Sequence, residues 1–295
     1  MSLLQEQVSV FVETILLATD FSPASEKATA YAKALARRFS STVEIAHVFD
    51  PSVVSSYEEA ILSLPIAERR QASNEHLNEL KRIFAGSGIT TDTVETEGHR
   101  PAAELLKIAK QFKVDLIVSG TRSKSGMERL LLGSTAEEIL RSAICPVLTV
   151  GPKTGEPADG PLIFKSILFA TDFSAQAAKA AVFALSFAQD SGAHLYFCHV
   201  VGSERAAGNS GSIVDGAFEA ALMRMIPECS YDWCSPECVV EHGDAAQAVL
   251  AVAGRVHADL IVLGARKASF LLTHLERGVT PDLLAEATCP VMTVC

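Results

Sequence analysis

The sequence lacks the excess of positive charge that nucleic-acid-binding surfaces need. Its 295 residues include 25 Lys and Arg against 35 Asp and Glu, which gives a net charge of −10, and both halves of the chain are acidic. Broad contact with phosphates depends on clustered basic side chains. The composition therefore argues against a DNA- or RNA-binding protein.

Long apolar runs and a basic leader are also missing. No stretch reaches the roughly 18 uninterrupted apolar residues of a membrane span, and the first 20 residues contain Glu6 and Glu13 but no Lys or Arg. The seven cysteines, an odd number, lie mostly in apolar runs, as buried thiols do in a reducing compartment. We expect a cytoplasmic protein with no membrane contact and no disulfide framework.

Signatures of hydrolytic chemistry are absent as well. The chain has no P-loop of the form G-x-x-x-x-G-K-[ST], no G-x-S-x-G elbow and no recognisable catalytic triad. After the first apolar run it reads ATDFSPAS (18–25), where ATP-pyrophosphatases carry a different phosphate loop. No residue stands out as a general base, so the sequence predicts binding rather than catalysis.

What the sequence does contain is one pattern written twice. ATDFS at 18–22 recurs at 170–174, within a match of 15–49 to 167–201 at a constant offset of 152. CPVLTV (145–150) likewise matches CPVMTV (289–294). A period near 150 indicates a duplicated domain. We therefore expect domains at 1–152 and 153–295, joined by the Pro- and Gly-rich segment 151–162.

Each copy alternates short apolar runs with stretches of helical spacing, which predicts a parallel sheet with helices on both faces. In the first such stretch, Ala28, Tyr31, Ala32, Leu35 and Phe39 share one helical face. Ser22 before Pro23 predicts the start of this helix. Ligands of such sheets bind at the carboxyl ends of strands, where the strand order reverses. Both TDFS turns follow such an end.

The segment 119–140, SGTRSKSGMERLLLGSTAEEIL, is the strongest candidate for a ligand loop, because it links an apolar strand to a helix. Ser134 or Thr135 can cap that helix, and free N–H groups at a helix start suit phosphate oxygens. Glycines allow close approach to a ligand, but ordinary strand-to-helix loops contain them too. Both readings stay open. The three glycines are Gly120, Gly126 and Gly133.

Together these features resemble the tandem universal stress proteins. The resemblance rests on TDFS after strand one, HV at the end of strand two, LLLGST before the last helix and the terminal CPVLTV strand, and it covers nearly the whole chain. It implies an α/β fold of two tandem doubly wound domains, each a five-stranded parallel sheet of order 3-2-1-4-5. Nucleotide-binding members carry the motif G-x2-G-x9-G-[ST]. Here that motif falls on Gly120, Ser123, Gly133 and Ser134, with serine replacing the second glycine.

The resemblance also implies a set of cofactor-binding residues in domain 1. Asp20 would contact the ribose, and the backbone at Val48 would contact the adenine. Alternatively, Asp20 is an acidic residue at the helix N-terminus that only favours the helix dipole, and Val48 is a core residue. We expect ATP or a related adenine nucleotide, acting as a regulatory or assembly signal with slow hydrolysis at most. Whether Mg²⁺ accompanies it stays open. The remaining candidate positions are Gly120, Ser123, Gly126, Gly133, Ser134 and Thr135.

Domain 2 departs from the motif at its phosphate end. Lys267 stands where the second glycine belongs, Val279 replaces the motif's Ser or Thr, and Pro281 removes one N–H. We expect no ATP binding there in the family manner. Two alternatives stay open, namely a nucleotide-free adaptor acting through protein partners, and an apolar-ligand binder using domain 2 around 270–272.

The resemblance further implies assembly through the terminal strands. In the family the last strand of one domain pairs along the edge of another, so we expect a homodimer and an internal pseudo-dimer. Nothing in the sequence identifies the stress signal or the partner proteins.

Cysteine and histidine positions raise two smaller questions. The pattern C-x4-C-x3-C-x3-H in domain 2 lacks the C-x-x-C pairs of structural zinc sites, so buried thiols are favoured over a metal. His47 and His199 occupy matching positions in the two copies, which favours hydrogen-bonded residues of the core or of the crevice edge over ligand-binding ones. The residues of the cysteine pattern are Cys229, Cys234, Cys238 and His242.

Overall fold

The computed structural model describes residues 10–52, 65–121, 133–202, 211–264 and 279–295. The chain forms two compact units. The first unit comprises Phe11–Pro152 and Glu156–Leu162, and the second comprises Lys153–Gly155 and Ile163–Cys295 together with Val10. The segment 151–162 is thus shared between the units, and the domain limits at 152 and 153 remain a prediction.

The first unit alternates strands and helices in the predicted order. Its described residues form β1 (Thr14–Ala18), α1 (Pro23–Phe39), β2 (Thr42–Phe49), α2 (Ile66–Gly86), β3 (Thr91–Glu97), α3 (Pro101–Gln111), β4 (Leu116–Gly120), α4 (Ser134–Ser142) and β5 (Val147–Val150).

The second unit repeats this order with one added 3₁₀ helix. Its described residues form β6 (Ser166–Ala170), α5 (Ala175–Ser191), β7 (His194–Val201), α6 (Gly211–Met223), the 3₁₀ helix Glu228–Asp232, β8 (Ser235–His242), α7 (Ala245–Arg255), β9 (Leu260–Gly264), α8 (Val279–Glu286) and β10 (Val291–Val294).

Both units contain the same five-stranded parallel sheet. The strands of the first unit lie in the order β3-β2-β1-β4-β5 and those of the second in the order β10-β9-β6-β7-β8, and the neighbours within each unit run parallel. In its own chain order the second unit is therefore also 3-2-1-4-5. The predicted fold class, two tandem doubly wound α/β domains, is confirmed.

The helix that follows each first strand has the predicted signals at its start. Ser22 caps α1 by accepting a hydrogen bond from the Ser25 N–H, with Pro23 as the first helical residue. Ser174 caps α5 in the same way, and that helix ends at Gly192 with a φ of 60°. Four residues of the predicted inner face of α1 are buried, namely Ala28, Tyr31, Ala32 and Leu35, whereas Phe39 at the end of the helix is half-buried.

The strand order places a crevice at the carboxyl end of β1. The chain leaves β1 towards β2 on one side and returns from β3 to β4 on the other, so the connections diverge above β1. The same divergence occurs above β6 in the second unit. Among the helices that the described ranges contain, none is long and apolar enough to cross a membrane.

Candidate functional site at the carboxyl ends of the strands

The turn that follows β1 is held by its own side chains. Thr19 Oγ1 accepts a hydrogen bond from the Phe21 N–H at 3.0 Å, and Asp20 Oδ1 accepts one from the Ser22 N–H at 3.0 Å. Phe21 has a φ of 60°, a left-handed conformation that is uncommon for a bulky residue. Its counterpart Phe173 has a φ of 59°. The TDFS sequence therefore specifies the same turn in both units.

Asp20 is exposed at the mouth of the crevice, where a ligand-contacting carboxylate would have to lie. Its Oδ1 also accepts a hydrogen bond from Ser25 Oγ at 2.6 Å, and its N–H donates to that hydroxyl at 3.2 Å. In the second unit, Asp172 Oδ1 accepts the Ser174 N–H at 2.9 Å. Ala177 stands there in place of Ser25. A buried helix side chain thus holds Asp20, and the second unit lacks its equivalent.

The backbone of Val48 faces the space beyond the end of β1. Even-numbered residues of β2 direct their peptide groups towards β1, as in the 3.0 Å bond from the Thr19 N–H to the Ala46 carbonyl. Odd-numbered residues face β3, as in the 2.9 Å bond from the Val43 N–H to the Thr90 carbonyl. Val48 continues the even series after β1 has ended. Among the described residues its N–H and C=O on that side have no backbone partner.

Val200 of the second unit repeats this arrangement. The Thr171 N–H donates to the Cys198 carbonyl at 2.9 Å, and the Gly243 N–H donates to the Val201 carbonyl at 3.0 Å. Even-numbered residues of β7 therefore face β6, and Val200 lies beyond the end of β6. Among the described residues, both units hence carry N–H and C=O groups without a backbone partner where the resemblance implies contact with a base.

His47 lies at the edge of this crevice with its ring hydrogen-bonded. Its Nδ1 is 3.0 Å from the Thr19 carbonyl oxygen, and because a carbonyl only accepts, Nδ1 must carry the proton. Phe21 packs between two imidazoles, with ring centroids 4.5 Å from His47 and 5.0 Å from His76. His47 is thus a hydrogen-bonded residue at the crevice edge, as predicted from its repetition.

The second unit builds the same three-ring cluster with a different third ring. His199 Nδ1 lies 2.8 Å from the Thr171 carbonyl oxygen. The His199 ring is 4.7 Å from Phe173 and 4.4 Å from Phe218 between centroids. Phe218 of α6 therefore takes the position that His76 of α2 holds in the first unit, and the pair of imidazoles is specific to the first unit.

The two imidazoles lead to a prediction on pH. Burial lowers the pKa of His47 from 6.5, the hydrogen bond to the Thr19 carbonyl raises it, and the nearby His76 lowers it. Because the unfolded chain takes up this proton at higher pH than the folded chain, His47 costs stability as the pH falls from 6.5 through the folded pKa. We expect an NMR titration of the His47 ring to have its midpoint below 6.5.

The natural difference between the units supplies the control for that titration. Replacing His76 by Phe copies the second unit and removes the neighbouring imidazole, so the His47 midpoint should rise. His242→Gln, a change in the other unit, should leave it unmoved. A midpoint that stays constant or falls in His76→Phe would mean that His76 exerts no charge effect on His47.

Gly120, the last residue of β4, is required by packing. A Cβ at this position would lie 2.2 Å from the Ala24 carbonyl oxygen and 2.9 Å from the Ser25 nitrogen. A Cβ at Gly264 would lie 2.4 Å from the Ala177 nitrogen. Both glycines let the end of a strand approach the first turn of the helix that follows the first strand of the same unit. Gly120 is therefore explained without a ligand.

The start of α4 is open in the described part of the chain. Gly133 is the N-cap residue, with a φ of −63°, and no side chain caps the helix there. A Cβ at Gly133 would meet nothing within 4 Å. The prediction that Ser134 or Thr135 would cap α4 was wrong, because both already lie inside the helix, where the hydroxyl cannot reach the first-turn N–H groups from outside.

The residues between β4 and α4 include the rest of the motif. Ser123 and Gly126, predicted to lie along the phosphates, are outside the described residues. The described site therefore joins Asp20, the Val48 backbone and Gly120, and the α4 start adds Ser134, which is exposed, and Thr135, which is half-buried. The assignment of these residues to a nucleotide remains a prediction.

The last helix of the second unit begins with fewer donors. Its first residues are Val279, Thr280, Pro281 and Asp282. Proline has no N–H, and Val279 has no hydroxyl. The counterpart of the motif serine thus lies in an environment less suited to phosphate. The predicted positions 267 and 270–272 lie outside the described residues.

The cysteine pattern of the second unit does not converge on one point. Cys234 is buried, Cys229 and Cys238 are half-buried, and His242 Nε2 lies 2.9 Å from Asp215 Oδ1. Within the described ranges no group of three Cys, His, Asp or Glu side chains could hold a metal ion. Burial raises the pKa of the Cys234 thiol to about 11, so it stays protonated, as expected of a buried thiol.

The sequence did not single out one polar cluster at the ends of β2 and β3. Asp50 Oδ1 accepts hydrogen bonds from Ser52 Oγ at 2.7 Å, from the Ser52 N–H at 2.9 Å and from His99 Nδ1 at 2.9 Å. The bond from the Ser52 hydroxyl is the main cause that lowers the pKa of Asp50 to about 2. Asp50 and His99 each follow closely after a strand, which is the signal that could have found them.

Comparison with known proteins agrees with this architecture. The chain matches the sequence model of the universal stress protein family over residues 12–151 and 163–294. A universal stress protein of Methanocaldococcus jannaschii is 36% identical over 137 residues, which are 46% of this chain and 80% of that protein. The crystal structure of a universal stress protein from Archaeoglobus fulgidus superposes with a TM-score of 0.71 at 22% identity, over 95% of this chain and 97% of that one.

Two α/β units, each with a parallel sheet and a crevice at the carboxyl end of its first strand, define a tandem doubly wound protein. The chain belongs to the universal stress protein family, with two such domains in tandem. One universal stress protein, 22% identical over 48% of this chain and 98% of that chain with a TM-score of 0.38, was solved in complex with cAMP.

Proposed function

We propose that the first unit binds ATP or a related adenine nucleotide, and that occupancy of this site acts as a regulatory or assembly signal in the stress response. The second unit does not bind the nucleotide in the same manner. The protein acts by binding, and any hydrolysis of ATP is slow. In cells it works in the cytoplasm.

The observation that carries the proposal is the open backbone edge at Val48 beside Asp20. An extended residue presents its N–H and C=O on the same side of the strand, so one residue offers a donor and an acceptor together. Adenine has the complementary pair, an amino group next to a ring nitrogen. Asp20, exposed where β1 ends, supplies an acceptor for sugar hydroxyls.

The start of α4 supports the phosphate end of the proposal. The first-turn N–H groups of a helix carry partial positive charge and point outward. No side chain of the described residues caps this helix, and Ser134 adds an exposed hydroxyl. Among the described residues, nothing would lie within 4 Å of a Cβ at Gly133. These features suit phosphate oxygens, and any Mg²⁺ would come with the nucleotide.

A signalling role follows from linkage. A nucleotide that binds one conformational or oligomeric state more tightly than another shifts the population towards that state. Two chains pairing through their edge strands would be the assembly that responds. This part of the proposal predicts that the sedimentation behaviour of the full chain changes when ATP saturates the first unit.

Isothermal titration with ATP tests the proposal, with Asp20→Ala as the diagnostic variant. The intact chain should bind one ATP, and Asp20→Ala should weaken binding at least tenfold, because a hydrogen bond to a charged group is worth about 1.5–3 kcal/mol. Tenfold corresponds to about 1.4 kcal/mol. Asp172→Ala, the matched change in the second unit, should leave the affinity as it is.

Two results would count against this assignment. Absence of any ATP binding by the intact chain would favour the nucleotide-free adaptor. A stoichiometry of two, or equal losses in Asp20→Ala and Asp172→Ala, would mean that the second unit binds as well. Thermal denaturation gives a second readout, since ATP at 100 times its Kd should stabilise the protein by about 2.7 kcal/mol.

A further inference from the structure

Ser25 forms an unusually complete set of hydrogen bonds to Asp20. Its hydroxyl donates to Asp20 Oδ1 at 2.6 Å and accepts from the Asp20 N–H at 3.2 Å. It also lies 3.3 Å from Ser22 Oγ. The Ser25 side chain is 5% exposed, so water does not compete strongly for these bonds.

These bonds restrict the orientation of the Asp20 carboxylate. Oδ1 receives the Ser25 hydroxyl and the Ser22 N–H at 3.0 Å, two donors that come from the first turn of one helix. With Oδ1 and the backbone N–H of the same residue both held, the plane of the carboxylate is fixed relative to α1. A preorganised acceptor loses less entropy when a ligand binds.

Ser25 is itself held by the fold. It lies in the first turn of α1 directly above β4, where a Cβ on Gly120 would come within 2.9 Å of the Ser25 nitrogen. The close approach of β4 therefore fixes the backbone that carries the hydroxyl. A rigid helix turn, rather than a loop, supports the acceptor.

The second unit shows what the same turn looks like without this hydroxyl. Asp172 keeps the bond from the Ser174 N–H at 2.9 Å, and Ser174 still caps its helix. Ala177 replaces Ser25, so the hydroxyl is dispensable for the turn and the cap. The turn and the cap thus do not explain the hydroxyl of Ser25.

We propose that Ser25 is a positioning residue that aims the Asp20 carboxylate at the sugar of the nucleotide, which makes the first unit selective for ribose over deoxyribose. This inference rests on the proposed function, since Asp20 must face a sugar. Ser25 acts through Asp20 and does not touch the ligand. The second unit, with Ala177, lacks this selectivity.

The test measures Kd for ATP, 2′-deoxy-ATP and 3′-deoxy-ATP with the full chain. The unaltered protein should bind ATP about tenfold more tightly than the weaker deoxy analogue. Ser25→Ala should weaken ATP binding about tenfold and leave the affinity for that analogue nearly unchanged, so the ratio falls towards one. A merely structural role would weaken all three ligands equally, and that outcome would overturn the inference.

Two further variants separate positioning from folding. Ser22→Ala removes the cap of α1, which destabilises the helix, but it leaves the Ser25 to Asp20 bond and should keep the sugar ratio. In an Asp20→Ala background, Ser25→Ala should cause no further loss of ATP binding, because the two residues act as one unit. Additive losses would contradict positioning.

The same data distinguish the inference from the proposed function. ATP binding with an unchanged sugar ratio in Ser25→Ala refutes the role of Ser25 and leaves the nucleotide site standing. If none of the three nucleotides binds the unaltered chain, both proposals fall.

Discussion

Replacing Gly120 by alanine should lower the free energy of unfolding of the first unit by about 3 kcal/mol. The new Cβ would lie 2.2 Å from the Ala24 carbonyl oxygen and 2.5 Å from its carbonyl carbon. These are backbone atoms of α1, so no side-chain rotation can relieve the contact. Either α1 or β4 must shift, and both are packed in the core. Urea denaturation followed by circular dichroism measures the loss.

Two matched changes complete this experiment. Gly264→Ala should cost the second unit a similar amount, because its Cβ would lie 2.4 Å from the Ala177 nitrogen. Gly133→Ala should have little effect, since that position has ordinary backbone angles and open space around it among the described residues. Equal stability of Gly120→Ala and Gly133→Ala would show that β4 and α1 separate more easily than their contact distance implies.

The two glycines of the motif differ in how strongly they indicate a ligand. Of the two motif glycines in the described part of the first unit, Gly120 is required by the fold and Gly133 is not. The second unit has Gly264 at the position of Gly120, although the start of its last helix, α8, is less suited to phosphate. The first motif glycine therefore carries little information about a ligand, whereas the start of α4 carries more.

The architecture could be predicted because its signals are local and repeated. Ser22 and Pro23 act within one turn of the helix they start, and the inner face of α1 follows from its spacing. The parallel sheet follows from alternation of strands and helices. Duplication made each signal appear twice, and the strand order implied by the resemblance agrees with both units.

The contacts that build the site could not be predicted, because they depend on packing between elements. The pairing of Phe21 with His76 requires the placement of α2. The bond from Ser25 to Asp20 requires the left-handed backbone at Phe21, which propensity disfavours. The cap of α4 was predicted wrongly, because the sequence GST at 133–135 does not say which of its residues is the first inside the helix.

The backbone of Val48 is likewise invisible in the sequence, since any residue has an N–H and a C=O. What distinguishes Val48 is that β2 continues past the end of β1, whose last paired residue, Ala18, lies opposite Ala46. β3 still pairs with β2 there, through Val48 and Thr96. The site edge is therefore a property of unequal strand lengths and requires no particular side chain.

Proline at Val48 should reduce ATP affinity about a hundredfold, because it removes the N–H that faces the space beyond β1 and fills that space with ring carbons. A base left with an unsatisfied ring nitrogen costs about 1–3 kcal/mol, and the steric block adds to it. Proline is tolerated in strands where the N–H makes no ladder bond, and the peptide of Val48 is on the side where the ladder to β1 has ended. Isothermal titration measures the loss.

A matched change in the second unit shows whether that loss of ATP affinity is specific to the first unit. Val200→Pro alters the same edge beyond β6, whose last pair is Ala170 with Cys198, and it should leave ATP affinity unchanged. Circular dichroism should show that both variants keep their secondary structure. If Val48→Pro folds and still binds ATP with the original affinity, the base is not held by this strand edge. If Val200→Pro causes the same loss, the second unit binds the nucleotide as well, and the assignment of the site to the first unit alone is wrong.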